Sequence, residues 1–414
     1  MSTSPAVRAN ADGILAVALC CLAMTCEGFD LQAPGVTARV LAASFGLTPA
    51  QQGIFLSSST FGMMIGALSG GRLSDRFGRK WVLIGAIAVF SSLSIVTALS
   101  TSGEMLLAAR FATGIGLGGA LPNLIALAAE SVTPARRSTA VGFLLAGPPV
   151  GGALVSLVAA IASGPDQWPI IYYVGGIVPL LLVVPCLATF LPNRQIERTA
   201  ETGARRNTLT ILFGEGRAAR TLVIWLAFFT VLLVLFIMLT WLPSLMVTRG
   251  LSRPQASLVQ MTFNLCAIPG NILIGLLLDR TRHRGLAVTI IFCAAGTALG
   301  FLAGGPGTAG MMLLAGALAG VAVTGAQTAV YTLAPSCYPA SGRGTGVGFC
   351  VAVGRFGSAG GPLVTGFLVG AGQTPTQVLL ILLPIIALAG AAAVFVAWSI
   401  GASARIADEP AIVA

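Results

Sequence analysis

The ten residues GRLSDRFGRK at 71–80 return 204 positions later as GLLLDRTRHR at 275–284, each directly after an apolar run. Glycine, leucine, the Asp-Arg pair and a basic ending recur in register. A second echo, RSTAVGF at 137–143 and RGTGVGF at 343–349, lies 206 positions apart. The chain is a duplication, so its fold is one that two copies of the same apolar unit build together. Composition names the solvent: 56% of residues are hydrophobic and only 9% charged, with a mean hydropathy of +0.92, whereas soluble domains carry roughly 25% charged residues. About 20 mostly apolar residues cross a bilayer as a helix. Twelve such runs are expected, near 13–34, 51–71, 81–100, 104–129, 138–162, 168–191, 219–246, 254–278, 285–303, 309–333, 344–370 and 376–400.

The expected fold is therefore an all-α membrane protein of twelve transmembrane helices in two pseudo-symmetric six-helix halves. The halves are residues 1–191 and 219–414, joined by a polar linker at 192–218. Short cytoplasmic loops collect Lys and Arg. With both termini inside, Arg39, Arg249 and Arg253 fall outside and Arg110 and Arg355 within helices, which leaves 18 of the 23 basic residues on the cytoplasmic face. The formal charge of +10 then follows from topology and anionic headgroups and calls for no nucleic-acid partner. The first helix lacks a basic start and a small-residue cleavage site, so it is expected to stay attached. The eight cysteines show no metal-ligand spacing, and free thiols are expected.

Each copy of the ten-residue loop joins the second and third helix of its half on the cytoplasmic side. The turn is so short that Gly71, Asp75, Arg76, Gly78, Arg79 and Lys80 must organise two helix ends, as must Asp279 and Arg280 in the second copy. Such a charge cluster can lock one conformation and release it in another, and Glu130 at the end of the fourth helix is expected to pair with it. The second copy has Arg282 where the glycine belongs and His283 in place of an arginine, so the two loops are not expected to gate equally.

GRLSDRFGRK fits the G-x-L-x-D-R-x-G-R-K loop of the major facilitator superfamily, and the chain resembles that family over nearly its full length. RFATGIGLGG at 110–119 looks like the family's fourth-helix motif of arginine and glycines, and GPPVGG at 147–152 like its fifth-helix motif. Gly114, Gly116 and Gly119 also satisfy G-x-G-x-x-G, but a dinucleotide fingerprint needs a preceding strand. Within a membrane helix small residues permit close packing instead. No Walker motif occurs, which argues against an ATP-driven pump.

Glu27, Asp30, Arg110 and Arg355 are charges placed where hydrocarbon should be, each costing about 3 kcal/mol or more at the bilayer centre unless paired or facing a cavity. Glu27 and Asp30 are three apart and share a helix face. Glu27 lies about 22 Å along its helix from Asp12, and Arg355 about 18 Å along its own from Arg343, at 1.5 Å per residue. The two reach similar depth, so an acid and an arginine could meet near the midplane. Arg110 is weighed mainly as a permanent structural pair or a gating residue. Desolvation favours the neutral carboxyl and a neighbouring arginine the charged one. An anion that occupies the arginine therefore promotes proton uptake by Glu27 or Asp30, which couples the two.

CEGFDLQAPG at 26–35 resembles the D-G-x-D-type first helix of the aromatic acid:proton symporter family, with Glu27 in place of the first aspartate. AVGRFGSAGGP at 352–362 is similar to that family's G-R-x-G…G-P segment and carries Arg355 over by position. With LPNLIALAAE at 121–130, the likeness is to its 3-(3-hydroxyphenyl)propionate transporters. The resemblance implies a secondary active transporter, not an enzyme, without metal or cofactor. It would import an aromatic carboxylate of the hydroxyphenylpropionate or hydroxybenzoate type with protons across a bacterial inner membrane, acting as a multi-pass monomer. Arg355 suits a carboxylate, and Phe29, Trp241, Phe263 and Tyr331 are candidates for the ring. The repeat pairs Asn123 with Gln327, amides that could bond a carboxylate or ring hydroxyl. Two other readings stand beside this one: a drug:proton antiporter on the same scaffold, and a non-transporting aromatic-acid receptor.

Overall fold

A computed structural model of the chain describes residues 5–133, 137–162, 164–190, 208–214, 216–281, 283–339 and 342–408. Among them there is no strand, and twelve helices are long and apolar enough to cross a bilayer. They are α1 (Gly13–Phe45), α2 (Pro49–Gly70), α3 (Arg79–Ala98), α4 (Gly103–Glu130), α5 (Thr139–Ile161), α6 (Trp168–Phe190), α7 (Ala218–Thr248), α8 (Arg253–Arg280), α9 (Arg284–Gly304), α10 (Ala309–Cys337), α11 (Arg343–Gly370) and α12 (Pro375–Ser399). The chain is a multi-pass all-α membrane protein. One short further helix, Thr208–Phe213, lies in the linker region. Arg282 lies outside the described residues.

The longest departure from the sequence reading is in α1, whose first apolar run stops at Pro34 whereas the helix continues to Phe45. Proline removes one backbone N–H but is tolerated in membrane helices when neighbours re-satisfy the freed carbonyl. Asp30 shows how, below. At its other end α2 remains helical to Phe77 and stops at Gly78, whose φ of 83° is open to glycine without strain. The first copy of the loop thus requires its Gly78 for a conformational reason. Thr48 caps the start of α2 in a capping box with Gln51.

The chain divides into two compact units, Met1–Thr199 with Leu239–Leu265 and Pro362–Gly370, and Ala200–Met238 with Cys266–Gly361 and Ala371–Ala414. In the first unit α2 packs most extensively on α4, α1 on α5, and α3 on both α4 and α6. In the second, α9 packs on α12 and α10.

The α2–α4 interface is built from glycines at four-residue spacing. A Cβ at Gly62 would fall 2.0 Å from the Phe111 carbonyl oxygen, one at Gly66 2.1 Å from that of Ile115, one at Gly114 2.0 Å from that of Ser59, and one at Gly118 2.2 Å from that of Met63. Backbone meets backbone at each point, so no side chain can move aside. Gly270, which the 204-residue offset makes equivalent to Gly66, approaches the Val321 Cα in the same way, at 2.9 Å. Without a hydrophobic drive between helices in lipid, this close packing is what associates them. Gly66→Leu is expected to abolish recovery of monodisperse protein from detergent extracts, and Gly85→Leu, with nothing within 4 Å, to leave it intact. Size-exclusion profiles of the two variants decide this.

Candidate functional site

The centre of the first unit is an ion pair buried away from solvent on both sides. Arg110 of α4 and Asp30 of α1 are each 0% exposed, with Nη1 3.0 Å from Oδ2 and 3.3 Å from Oδ1. Ser94 of α3 donates to Oδ1 at 2.6 Å. The second guanidinium nitrogen, Nη2, donates to the backbone carbonyl of Asp30 at 2.9 Å. In an unbroken helix that carbonyl would accept the N–H of residue 34. Residue 34 is proline and has none, so Pro34 releases the carbonyl and Arg110 takes it up together with the carboxylate.

Arg110 is also held from other sides. Ser59 donates to its backbone carbonyl at 3.1 Å, and its guanidinium carbon lies 5.6 Å from the centre of the Tyr172 ring in α6. The Tyr172 hydroxyl is in hydrogen-bond contact with Thr37 Oγ1 at 2.7 Å, and Trp168 stacks edge-on against Tyr172. Arg110 Nε alone has no hydrogen-bond partner among the described residues. Buried charges persist only when paired and hydrogen-bonded, and here α1, α3, α4 and α6 all contribute. The arginine that meets the first-helix acid is thus Arg110, on a helix of the same unit.

Glu27 is buried at 3% exposure on the same helix, one turn before Asp30. Phe29 is buried against Gly175 of α6. Two residues beyond Asp30 and on another face of α1, Gln32 joins a cluster of buried amides. Gln32 and Asn264 exchange hydrogen bonds at 3.1 and 2.9 Å, and Gln260 Nε2 donates to Gln32 Oε1 at 3.2 Å. The GPPVGG segment makes room for this cluster. Pro148 offers its carbonyl to Gln32 Nε2 at 3.4 Å, and a Cβ at Gly152 would fall 2.1 Å from that same nitrogen.

At the end bearing the ten-residue loop, Arg79 pairs with Glu130 of α4. Lys80 donates to the Ala188 carbonyl at the end of α6 at 2.8 Å, where a cation complements the helix C-terminus. Arg76 lies over the Phe77 ring. Gly71 and Asp75 are placed by backbone in the helical extension of α2, and their side chains lie outside what is described. Asn123 is buried between Ser74, which donates to it at 2.5 Å, and the Gly119 carbonyl at 2.8 Å. In the second copy Asp279 and Arg280 are exposed at the end of α8.

In the second unit Arg355 is half-buried in α11, and among the described residues its guanidinium makes no hydrogen bond or ion pair. Its charge acts on the Tyr331 hydroxyl of α10, and Gln327 lies one turn before Tyr331 on the same helix. Phe228 packs on the Tyr331 ring at a centroid distance of 4.8 Å. Arg355, Tyr331 and Gln327 are therefore neighbours: an unpaired planar cation, a phenol and an amide. Trp241 and Phe263 belong to the first unit and are buried, with Trp241 Nε1 donating to the Pro362 carbonyl at 3.0 Å.

Ser94, Tyr172, Gln32, Gln260 and Asn264 are not singled out by sequence. Amides and hydroxyls in an apolar run carry no charge to flag them. The usable signals are local: proline four residues after Asp30, and Gln260 and Asn264 four apart on one face of α8.

The sequence profile described as Major Facilitator Superfamily matches residues 18–253 and 245–410. The chain is 39% identical to the 3-(3-hydroxy-phenyl)propionate transporter of Escherichia coli (strain K12), covering 96% of this chain and 97% of that protein. It is 32% identical to the 4-hydroxybenzoate transporter PcaK of Pseudomonas aeruginosa, covering 91% and 90%. Among solved structures it is similar to a bacterial homolog of the human lysosomal transporter Spinster, with a TM-score of 0.76 at 16% identity over 97% of this chain and 99% of that one. It is also similar to a D-xylose-proton symporter, with a TM-score of 0.71 at 19% identity over 94% and 97%.

Proposed function

Because the chain belongs to the major facilitator superfamily and is therefore a transporter, we propose that it imports an aromatic carboxylate, of the 3-(3-hydroxyphenyl)propionate or hydroxybenzoate type, by proton symport with alternating access. The observation that carries this reading is Arg355, a guanidinium inside a membrane helix with a tyrosine and an amide beside it and, among the described residues, no anion of the protein on it. A charge so placed is a functional site by default, and its planar fork matches a carboxylate bidentately. Tyr331 offers a ring face or edge and a polar tip, and Gln327 a further hydrogen bond. The 3-(3-hydroxy-phenyl)propionate and 4-hydroxybenzoate for which the two relatives are named are both hydroxylated aromatic acids, which supports the same cargo class.

Asp30 takes the coupled proton, with Glu27 as the second acid on that face of α1. Protonation of Asp30 cancels the carboxylate's charge but leaves Arg110 bonded to the Asp30 carbonyl. The pair therefore weakens without coming apart, and the helix bundle around it changes its preference between two conformations. Cargo bound at Arg355 biases the same equilibrium, since a ligand shifts a two-state protein only by its differential affinity for the states. The two six-helix halves, 1–191 and 219–414, are the bodies that rock. The α2–α3 loop with its Arg79–Glu130 pair, and Asp279 and Arg280 in the second copy, gate the cytoplasmic side. Both termini face the cytoplasm of a bacterial inner membrane, on the basic-residue distribution, and the protein acts as a monomer.

The test is uptake of labelled 3-(3-hydroxyphenyl)propionate into vesicles under an imposed pH gradient. Absence of uptake for this acid, 4-hydroxybenzoate and protocatechuate alike overturns the reading. One buried acid in an ion pair fits one proton per monoanion, which moves no net charge. Accumulation is then driven by the pH gradient, about 1.4 kcal/mol per unit, and not by membrane potential, which would add about 2.3 kcal/mol per 100 mV for each net charge moved. A potassium–valinomycin potential imposed without a pH gradient is expected to produce no accumulation.

A further inference from the structure

We propose that Asn271 of α8, held by Thr328 of α10, reads the ring hydroxyl of the cargo. This inference rests on the aromatic-acid reading above and names a specificity determinant for it.

Asn271, Thr328, Tyr331 and Arg355 all belong to the second unit. Thr328 Oγ1 donates to Asn271 Oδ1 at 3.1 Å and to the Thr324 carbonyl, also at 3.1 Å. Thr324, Thr328 and Thr332 each bond back to the carbonyl four residues earlier, and of the three only Thr328 also reaches a side chain on another helix. That contact fixes one end of the Asn271 amide. The other end, Nδ2, makes no hydrogen bond among the described residues.

Asn271 is half-buried within a helix that crosses the membrane. It follows Gln260 and Asn264 by eleven and seven residues, both close to whole numbers of turns, so the three amides form one stripe of α8. A polar stripe at membrane depth faces the bundle interior or a water-filled cavity, not lipid. The exposed part of Asn271 therefore opens on water inside the protein. Packing of α8 on α10 has other means, since a Cβ at Gly270 would fall 2.9 Å from the Val321 Cα and one at Gly325 2.0 Å from Ile274 Cδ1. The free end of the amide is surplus to that packing.

Nδ2 can only donate, so the group it meets must accept. Of the acceptors on a hydroxylated aromatic acid, the carboxylate is drawn to the Arg355 guanidinium, where charge assistance makes the stronger bonds. The ring hydroxyl is left for Asn271. Tyr331, on whose hydroxyl the Arg355 charge acts, is three residues from Thr328, on the same face of α10 and about 4.5 Å along its axis. A carboxylate and a hydroxyl on opposite sides of one benzene ring are separated on this scale, so a single cargo can meet both groups.

Asn271→Leu keeps the branched shape and removes the amide, and leucine at this depth is at home in a membrane helix. Thr328→Val keeps the shape of the threonine and removes the bond that orients Asn271. The measurement is kcat/KM for uptake of 3-(3-hydroxyphenyl)propionate and of 3-phenylpropionate in the wild type and both variants. The wild type is expected to favour the hydroxylated acid about tenfold, the worth of one hydrogen bond. In Asn271→Leu that ratio falls toward one, the loss being carried by the hydroxylated acid, and Thr328→Val gives an intermediate ratio. An unchanged ratio in Asn271→Leu overturns the inference, as does a parallel fall for both acids, which is what a purely structural role gives, or a wild-type ratio of one. Should Asn271→Leu not be recovered folded, an unchanged ratio in Thr328→Val overturns it alone. Failure of the wild type to take up either acid overturns the aromatic-acid reading itself.

Discussion

Asp30→Asn is expected to abolish proton-driven accumulation while preserving exchange of substrate across the membrane. Asparagine keeps the shape of the side chain, its oxygen accepts from Arg110 Nη1 or from Ser94, and Arg110 Nη2 keeps the backbone carbonyl that Pro34 releases. The variant therefore resembles the permanently protonated carrier. For one proton per monoanion, a gradient of two pH units sustains about 100-fold accumulation, and the variant is expected to equilibrate at a ratio near one. Counterflow, in which internal unlabelled substrate draws in labelled substrate, needs no net proton movement and should continue. Asp30→Ala leaves the guanidinium with no side-chain partner, and breaking a buried pair in this way costs about 3–5 kcal/mol, so that variant is expected to lose folded protein as well. A vesicle experiment in which Asp30→Asn still concentrates substrate against its gradient would assign the proton elsewhere, with Glu27 the next residue to test.

Much of this arrangement is legible in the sequence because lipid is a severe solvent. A helix must be apolar over its whole length to cross, so the twelve spans can be read from composition, and a charge inside one stands out at Glu27, Asp30, Arg110 and Arg355. What cannot be read is which charges meet. Asp30 and Arg110 lie 80 residues apart on helices whose rotation about their axes is set by the glycine contacts of α1 with α5 and of α2 with α4, and no local pattern encodes that rotation. The sequence reading ends the first span near Pro34. Here the helix continues to Phe45, and the carbonyl left over becomes a binding point for Arg110. The amide cluster is silent for a different reason, since Gln32, Gln260 and Asn264 carry no charge and come from distant stretches of chain. Asn123 and Gln327 are paired by the repeat, and the structure gives them different surroundings: Asn123 is enclosed by Ser74 and the Gly119 carbonyl, whereas Gln327 is half-buried beside Tyr331. Duplication preserves positions more faithfully than it preserves contacts.

Arg355→Ala is expected to lose substrate binding, and with it both exchange and accumulation, without loss of folded protein. The guanidinium makes no hydrogen bond or ion pair among the described residues, so its removal strands no buried partner, in contrast with Arg110. What it removes is the fork offered to a carboxylate. Hydrogen bonds to a charged group contribute about 1.5–3 kcal/mol each, and losing two of them weakens apparent affinity by roughly 100-fold or more. Arg355→Lys keeps the charge but presents a point in place of a planar fork, and an intermediate loss of about tenfold is expected. Affinity of the detergent-purified protein for 3-(3-hydroxyphenyl)propionate, measured by isothermal titration, separates these cases, and counterflow separates them from Asp30→Asn. A cation-exporting antiporter would behave oppositely, since a positive charge beside its cargo hinders binding and Arg355→Ala would then improve it. Retention of wild-type affinity by Arg355→Ala would remove the carboxylate site from α11 and leave the unpaired guanidinium without a role in binding.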